Sequence, residues 1–289
     1  MKHIETIKKD IRFIIQAIGP NGPLIEYDKP SKLYKMVQDN DQVFYCFTLL
    51  TMLYGSRSLP KQDLDHLTQY IFNRLHVAER MQVKKITSSY ELNYRPMIEK
   101  SVLKCIRDLY SCILNHTIIE ITYTRSSLET KSFPIAPLSI TYDEGFFYCV
   151  AYKDIDAEQR PIRNYRIDRI NKYKIKKSKF TKPLDGIHFF EAGKHSNYSF
   201  MMHTGDSIIT ATIKVKPFLS NYLKSKFPVH EFIRKDGEQE IYKVTVSNEE
   251  SLLFWLFQQR TWAEVLSPQS LRDKMKAEIA SLAQMYVGD

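Results

Sequence analysis

Isoleucines recur at spacings of three and four near the start of the chain, at Ile4, Ile7, Ile11, Ile14, Ile15 and Ile18. That spacing lines one face of a helix over 4–18 and leaves Thr6, Lys8, Lys9 and Arg12 on the other. The Gly-Pro-Asn-Gly-Pro run at 19–23 ends it. Apolar runs at 24–27 and 33–37 flank a turn with Lys29 and Lys32, which predicts strand, turn, strand. From 41 to 116 the period is helical. Phe44, Phe47, Leu50, Leu53 and Tyr54 mark a first helix, and Ser58-Leu59-Pro60 breaks it. Leu64, Leu67, Ile71, Phe72 and Leu75 mark a second over 63–75; Ile98, Val102, Cys105, Ile106, Leu109 and Ile113 mark another over 97–114. The polar, basic stretch 80–96 between them reads as a loop.

From Ile118 the period drops to two. Ile119, Ile121 and Tyr123 alternate with polar residues, and further strands are expected at 132–142, 146–152, 162–170 and 172–177. Asp143-Glu144-Gly145 supplies a hairpin turn. Short strands in this number, led in by a helix, suit a small barrel. Residues 180–206 read as a polar connector. From 207 the expected order is β-α-β-β-α-β-α. Asp236-Gly237 turns the central hairpin, and Ser267 and Pro268 stand at the N-cap and first position of a last helix. The fold class is α+β, in four parts: 1–38, a helical region 39–116, a β unit 117–180, and a ferredoxin-like unit 207–289.

Composition narrows what such a chain does. Its 289 residues allow two or three units, and 43% apolar content is enough for real cores. Lys and Arg outnumber Asp and Glu by 42 to 33, a field that favours a nucleic-acid or nucleotide partner. The four cysteines form no C-x-x-C pair, so buried free thiols in a reducing cytoplasm are expected rather than zinc. The N-terminus has no signal-peptide core, and the longest apolar run, 43–53, is too short for a bilayer. A soluble cytoplasmic protein with no membrane partner follows. No Gly-x-Ser-x-Gly, His-Glu-x-x-His or phosphate-cradling glycine loop occurs, so the expectation is a binding protein without cofactor, not an enzyme.

The candidate chemistry sits in 147–170. Arg160, Arg163, Arg166 and Arg169 fall within ten residues. In one strand over 162–170, Arg163, Tyr165, Ile167 and Arg169 would share a face, with Asn164, Arg166 and Asp168 opposite. Asp168 would pair with Arg166 and hold it. Arg163 and Arg169 would then meet an anion, for which a planar guanidinium is suited. Tyr148 and Tyr152, on one face of the neighbouring strand, could stack a base. The bland alternative is that these arginines make surface salt bridges. Lys172, Lys174 and Lys176 extend a basic stripe that by itself reads as a solvated face.

These residues carry a family resemblance. The run Phe146-Phe147-Tyr148-Cys149-Val150-Ala151-Tyr152, then Arg163-Asn164-Tyr165-Arg166-Ile167-Asp168-Arg169-Ile170, with Ala136-Pro137-Leu138 upstream, resembles the WYL domain. The namesake Trp-Tyr-Leu reads Phe147-Tyr148-Cys149, and the family's Arg-x-Phe-Arg-Leu-Asp-Arg-Ile is nearly complete. Thr6-Ile7-Lys8-Lys9-Asp10-Ile11 and the segment 23–28 are similar to the recognition helix and first wing strand of DeoR-like winged helix-turn-helix regulators. Trp255-Leu256 and the run 265–272 resemble the C-terminal extension of WYL proteins.

The resemblance implies a homodimeric transcription regulator with an Sm-like barrel, in which the helical region 39–116 links a partial winged helix-turn-helix head (1–38) to the sensor and offers surface for dimerisation. Its operator-DNA contacts would fall on Thr6, Lys8, Lys9, Arg12, Lys29 and Lys32. Its effector, a nucleotide or single-stranded nucleic acid, would meet Ser139, Tyr148, Tyr152, Arg163, Tyr165, Arg166 and Arg169. A full head has two more helices before this one, and the chain starts at Met1, so the head is expected to be incomplete. The second reading is therefore an accessory protein that binds nucleic acid or nucleotide without an operator.

Overall fold

The helical and alternating patterns give nine helices and eleven strands among the described residues of the computed structural model, which are 2–18, 24–37, 41–153, 155, 161–180, 190–203 and 208–287. The expected helix stop at 19–23 and Arg160 lie outside them. The chain divides into two compact units, 1–99 and 100–289.

In the first unit α1 (Lys2–Ile18) precedes a hairpin of β1 (Leu24–Asp28) and β2 (Leu33–Val37), paired Tyr27 to Tyr34. Three helices follow: α2 (Gln42–Ser56), α3 (Lys61–Phe72) and α4 (Val77–Leu92). The stretch expected as a loop over 80–96 is therefore helix from 80 to 92, and non-helical only from 93 to 96. Its start is fixed by the Glu79 carboxylate, which accepts from the His76 N–H at 2.9 Å. Only Val83 and Thr87 are buried, so a mostly polar helix looked like a loop. In α2 the buried side is Cys46, Leu50 and Tyr54, whereas Phe44 is 63% exposed.

The second unit begins with α5 (Leu103–Leu114), six residues later than its apolar spacing indicated. It packs on β3 (Thr117–Thr124) and β4 (Thr130–Asp143) through Cys105, Leu109 and Cys112. The sheet is completed by β5 (Phe146–Tyr152), β6 (Ile162–Arg166) and β7 (Ile170–Lys179), in the antiparallel order β6-β5-β4-β3-β7. The long β4 serves two partners. Residues up to Ile135 pair with β3, those from Ala136 pair with β5, and a register shift between Pro137 and Ser139 bends the strand.

The sheet does not close into the expected barrel. Strands β6 and β7 are its two edges, joined by a 3-10 turn at Ile167–Arg169. At the end of β6 the Arg166 N–H donates to the Tyr123 hydroxyl at 3.3 Å. The same turn interrupts what the alternation presented as one strand over 162–170.

The polar connector contains α6 (Ala192–Tyr198) and a 3-10 turn at Phe200–Met202. Beyond it, β8 (Ile209–Val215), α7 (Ser220–Lys226), β9 (His230–Asp236), β10 (Gln239–Val246), α8 (Glu249–Gln258), β11 (Ala263–Ser267) and α9 (Gln269–Val287) follow in turn. The four strands form an antiparallel sheet ordered β11-β8-β10-β9. Gly237 takes a left-handed φ of 61° in the β9–β10 turn, where a side chain would be strained. The last helix starts at Gln269, so Ser267 ends a strand rather than capping the helix. The core of this part centres on Trp255, Phe227, Tyr242 and Leu256, all but removed from solvent.

Candidate functional site

The 3-10 turn at 167–169 decides the site, because it changes which arginines face the same way. Arg166 and Arg169 both line a cavity of about 520 Å³ with Asn164, Tyr148, Phe146 and Tyr123. The hairpin loop Arg125-Ser126-Ser127, Glu144 and Met201 to His203 complete its wall. In an unbroken strand Arg169 would have sided with Arg163 instead.

Each arginine has a distinct environment. The Arg166 guanidinium is held in a fork by Asp168, with Nε to Oδ1 at 3.1 Å and Nη2 to Oδ2 at 2.7 Å. One face of it lies over the Phe146 ring, 3.5 Å from the centroid, so both an edge and a face are engaged. Arg125 pairs with Glu129 at 3.1 Å. Arg169 makes no ion pair among the described residues. Burial raises the pKa of the Tyr148 hydroxyl, while Arg166 pulls it back down. The hydroxyl therefore stays protonated at neutral pH and can donate to an anion.

The far wall comes from the connector. Asn164 Nδ2 donates to the Met202 carbonyl at 2.7 Å, which fixes the amide so that its oxygen meets His195 Nε2 at 3.2 Å. His195 must then carry its proton on Nε2. Met201 and Met202 both have left-handed backbone, φ 53° and 56°, a conformation that side chains disfavour and the Asn164 bond supports. Burial lowers the pKa of His195. The unfolded chain therefore takes up a proton before the fold does. Stability present above about pH 6.5 is expected to be lost as the pH falls through the lowered value. Urea unfolding of His195→Gln against the parent should show the parent losing more stability on acidification.

The remaining expected effector residues lie elsewhere. Tyr152 is buried in a cluster with Ala136, Leu138 and Phe180. Tyr165 is buried against Tyr123 and Phe133. Arg163 stands opposite Ala151, its Nη1 donating to the Ile162 carbonyl at 2.9 Å. Ser139 is half-buried opposite Val150. None of these four lines the cavity. Asn164, Phe146, Tyr123 and Met201 to His203 were missed. The β5 alternation carried a signal for Phe146, in phase with Tyr148; the connector residues carried none.

The expected DNA-contacting residues are all exposed. Thr6, Lys8, Lys9 and Arg12 stand on α1, while Lys29 and Lys32 stand in the β1–β2 turn. All four cysteines are free and buried. Among the described residues no cluster could hold a metal ion, and no helix is long and apolar enough to cross a membrane.

Comparison with known proteins places two domains on this geometry. Residues 104–175 match the WYL domain and 207–283 match the WCX domain. No curated protein matches the chain. Among solved structures, proteasome accessory factor B/C (PafBC) of Arthrobacter aurescens is similar at 14% identity and a TM-score of 0.36, over 88% of this chain and 37% of that one. A CRISPR Cas-related protein is similar at 13% identity and a TM-score of 0.43, over 89% of this chain and 76% of that one. The chain thus spans little more than a third of the first of these.

Proposed function

The chain belongs to the WYL-domain family, with a WCX domain after it, and we propose that it is a cytoplasmic, homodimeric regulator whose cavity binds an anionic effector. The effector class is a nucleotide or single-stranded nucleic acid. The exposed basic residues of α1 and the hairpin would contact DNA. The β11-β8-β10-β9 unit, of ferredoxin-like arrangement, would pass the effector signal on. The protein is read as a binder, not an enzyme.

One observation carries the effector reading. Of the three arginines lining the cavity, two are held by carboxylates and Arg169 is not. A cation left uncommitted beside a protonated tyrosine and an aromatic-backed guanidinium suits a phosphate. The volume falls within the range of small-molecule sites. Regulation then requires the effector to bind two states of the dimer with different affinity.

Fluorescence anisotropy with a labelled single-stranded oligonucleotide, competed by mononucleotides, tests this. Arg169→Ala should weaken binding by about tenfold or more, with a shallower salt dependence. Unchanged affinity would remove Arg169, and with it the reading.

A further inference from the structure

Of the two carboxylate-held arginines in the cavity wall, one is held far more loosely than the other. Arg166 shares two bonds with Asp168 and lies on Phe146. Arg125 makes one bond to Glu129, Nη1 to Oε2 at 3.1 Å, and the two side chains are 47% and 43% exposed. A pair so open to water contributes little. Glu129 also has a second cation. Its other oxygen, Oε1, meets Lys131 Nζ at 2.6 Å, and that bond, more than the charge of Arg125, holds the carboxyl below the usual carboxylate range. Arg125 lines the cavity, whereas Glu129 and Lys131 do not. When Arg125 turns inward, Glu129 therefore keeps its nearer partner.

The loop that carries Arg125 is already fixed. The Arg125 N–H donates to the Glu129 carbonyl at 2.9 Å and the Leu128 N–H to the Arg125 carbonyl at 3.0 Å, which closes the turn. The Thr124 hydroxyl bonds that of Thr130 across the neck at 2.8 Å and accepts from the Asn171 amide at 2.7 Å. In the β3–β7 ladder Tyr123 stands opposite Ile170, so Arg125 directly follows β3 and Arg169 directly precedes β7 at the same end. The two arginines thus leave neighbouring strands, which a sheet holds about 5 Å apart. Only the Arg125 side chain has to move for both guanidiniums to face one ligand. Ser126 and Ser127, exposed in the same loop, line the cavity and add hydroxyl donors.

We infer that Arg125 is an exchangeable ligand arginine: it leaves Glu129 for the effector while Lys131 retains the carboxylate, and the cavity selects an effector with two or more phosphates, one on Arg169 and the next on Arg125. The inference rests on the anion-binding reading above and narrows its ligand. After the exchange two cations face the cavity with no carboxylate on either, each suited to a phosphate. The carboxylate in the wall, Glu144, is itself bound by Lys226 and does not oppose them. A nucleoside diphosphate and a short strand with a 5′-phosphate share this chemistry.

Calorimetric titration of the full chain at fixed salt with AMP, ADP and the dinucleotides ApA and pApA tests it. The parent should bind ADP over AMP, or pApA over ApA, by about tenfold or more, the worth of one added charged contact. The pair that shows the gap identifies the source. Arg125→Gln should close the gap with an unchanged melting curve, because the ion pair it breaks is exposed. Lys131→Met, outside the cavity, should leave AMP binding at the parent's level and narrow the gap by about two- to fivefold. In the Arg125→Gln background it should change nothing, whereas a mere loss of positive field would persist there. A gap that survives Arg125→Gln, a parent that draws no distinction within either pair, or a Lys131→Met effect that is absent from the parent or independent of Arg125 overturns the inference while the anion reading stands. A parent that binds none of the four overturns both.

Discussion

Replacing Trp255 by alanine is expected to destabilise the unit 100–289 by about 3–5 kcal/mol, read from urea unfolding followed by circular dichroism. The indole is fully buried at the centre of the core that β8, β10, α7 and α8 enclose. Phe227 meets it edge-on with centroids 5.0 Å apart, and Tyr222 stacks at 6.3 Å. Truncation would leave a cavity that two rigid rings cannot collapse into, which places the cost at the upper end for core deletions. The indole N–H adds a second, opposite effect. Nε1 is buried with no hydrogen-bond partner among the described residues, and such a group costs about 1–3 kcal/mol. Trp255→Phe deletes that liability together with part of the packing. It should therefore cost far less than alanine, under about 1.5 kcal/mol. Equal losses for the two variants would show that the N–H is satisfied and that the core tolerates no smaller ring.

The extent to which such features were legible in the sequence follows from how locally they are determined. Alternation over Ile119, Ile121 and Tyr123 is a local property, and all three are buried. So is the Asp236-Gly237 turn, because a left-handed residue is needed there. The Arg166–Asp168 pair was legible for the same reason: the two residues are two apart in sequence. What failed depends on distant partners. Helix α4 buries only Val83 and Thr87, so no apolar stripe announced it. The sheet has β6 and β7 as its edges, and the Arg166 N–H at the end of β6 bonds a tyrosine from β3, a partner that no window around Arg166 contains. Arg169 was named as an effector residue, yet assigned to the face of Arg163. Its true company follows from three residues of 3-10 turn, which the spacing of three between the buried Ile167 and Ile170 marks and a strand's alternation does not. The connector's contribution to the cavity, through Met201 to His203, depends on the bond from Asn164 to the Met202 carbonyl, more than thirty positions away.

Asp168→Ala is expected to cost about 2–3 kcal/mol and to expose how far the site depends on one carboxylate. The two side chains are 20% and 13% exposed, so removing the acid strands a mostly buried guanidinium. Breaking a fully buried pair costs about 3–5 kcal/mol, and the residual exposure lowers that figure here. Arg166 would keep its contact with Phe146 but lose both oxygens that set its plane. Removing both partners, in Arg166→Ala with Asp168→Ala, leaves no stranded charge. The double variant should be less destabilised than the sum of the singles by about 1–3 kcal/mol, the coupling of a close charged pair. Thermal melts of the four proteins measure it, and strict additivity would mean the fork does not persist in solution. The cycle also separates the two arginines in function. Asp168→Ala turns a neutral pair into a second cation beside Arg169, so an oligonucleotide should bind with a steeper salt dependence even as the fold weakens. Stability and anion binding would then move in opposite directions, which is the mark of a carboxylate that serves the architecture of the site and opposes its ligand.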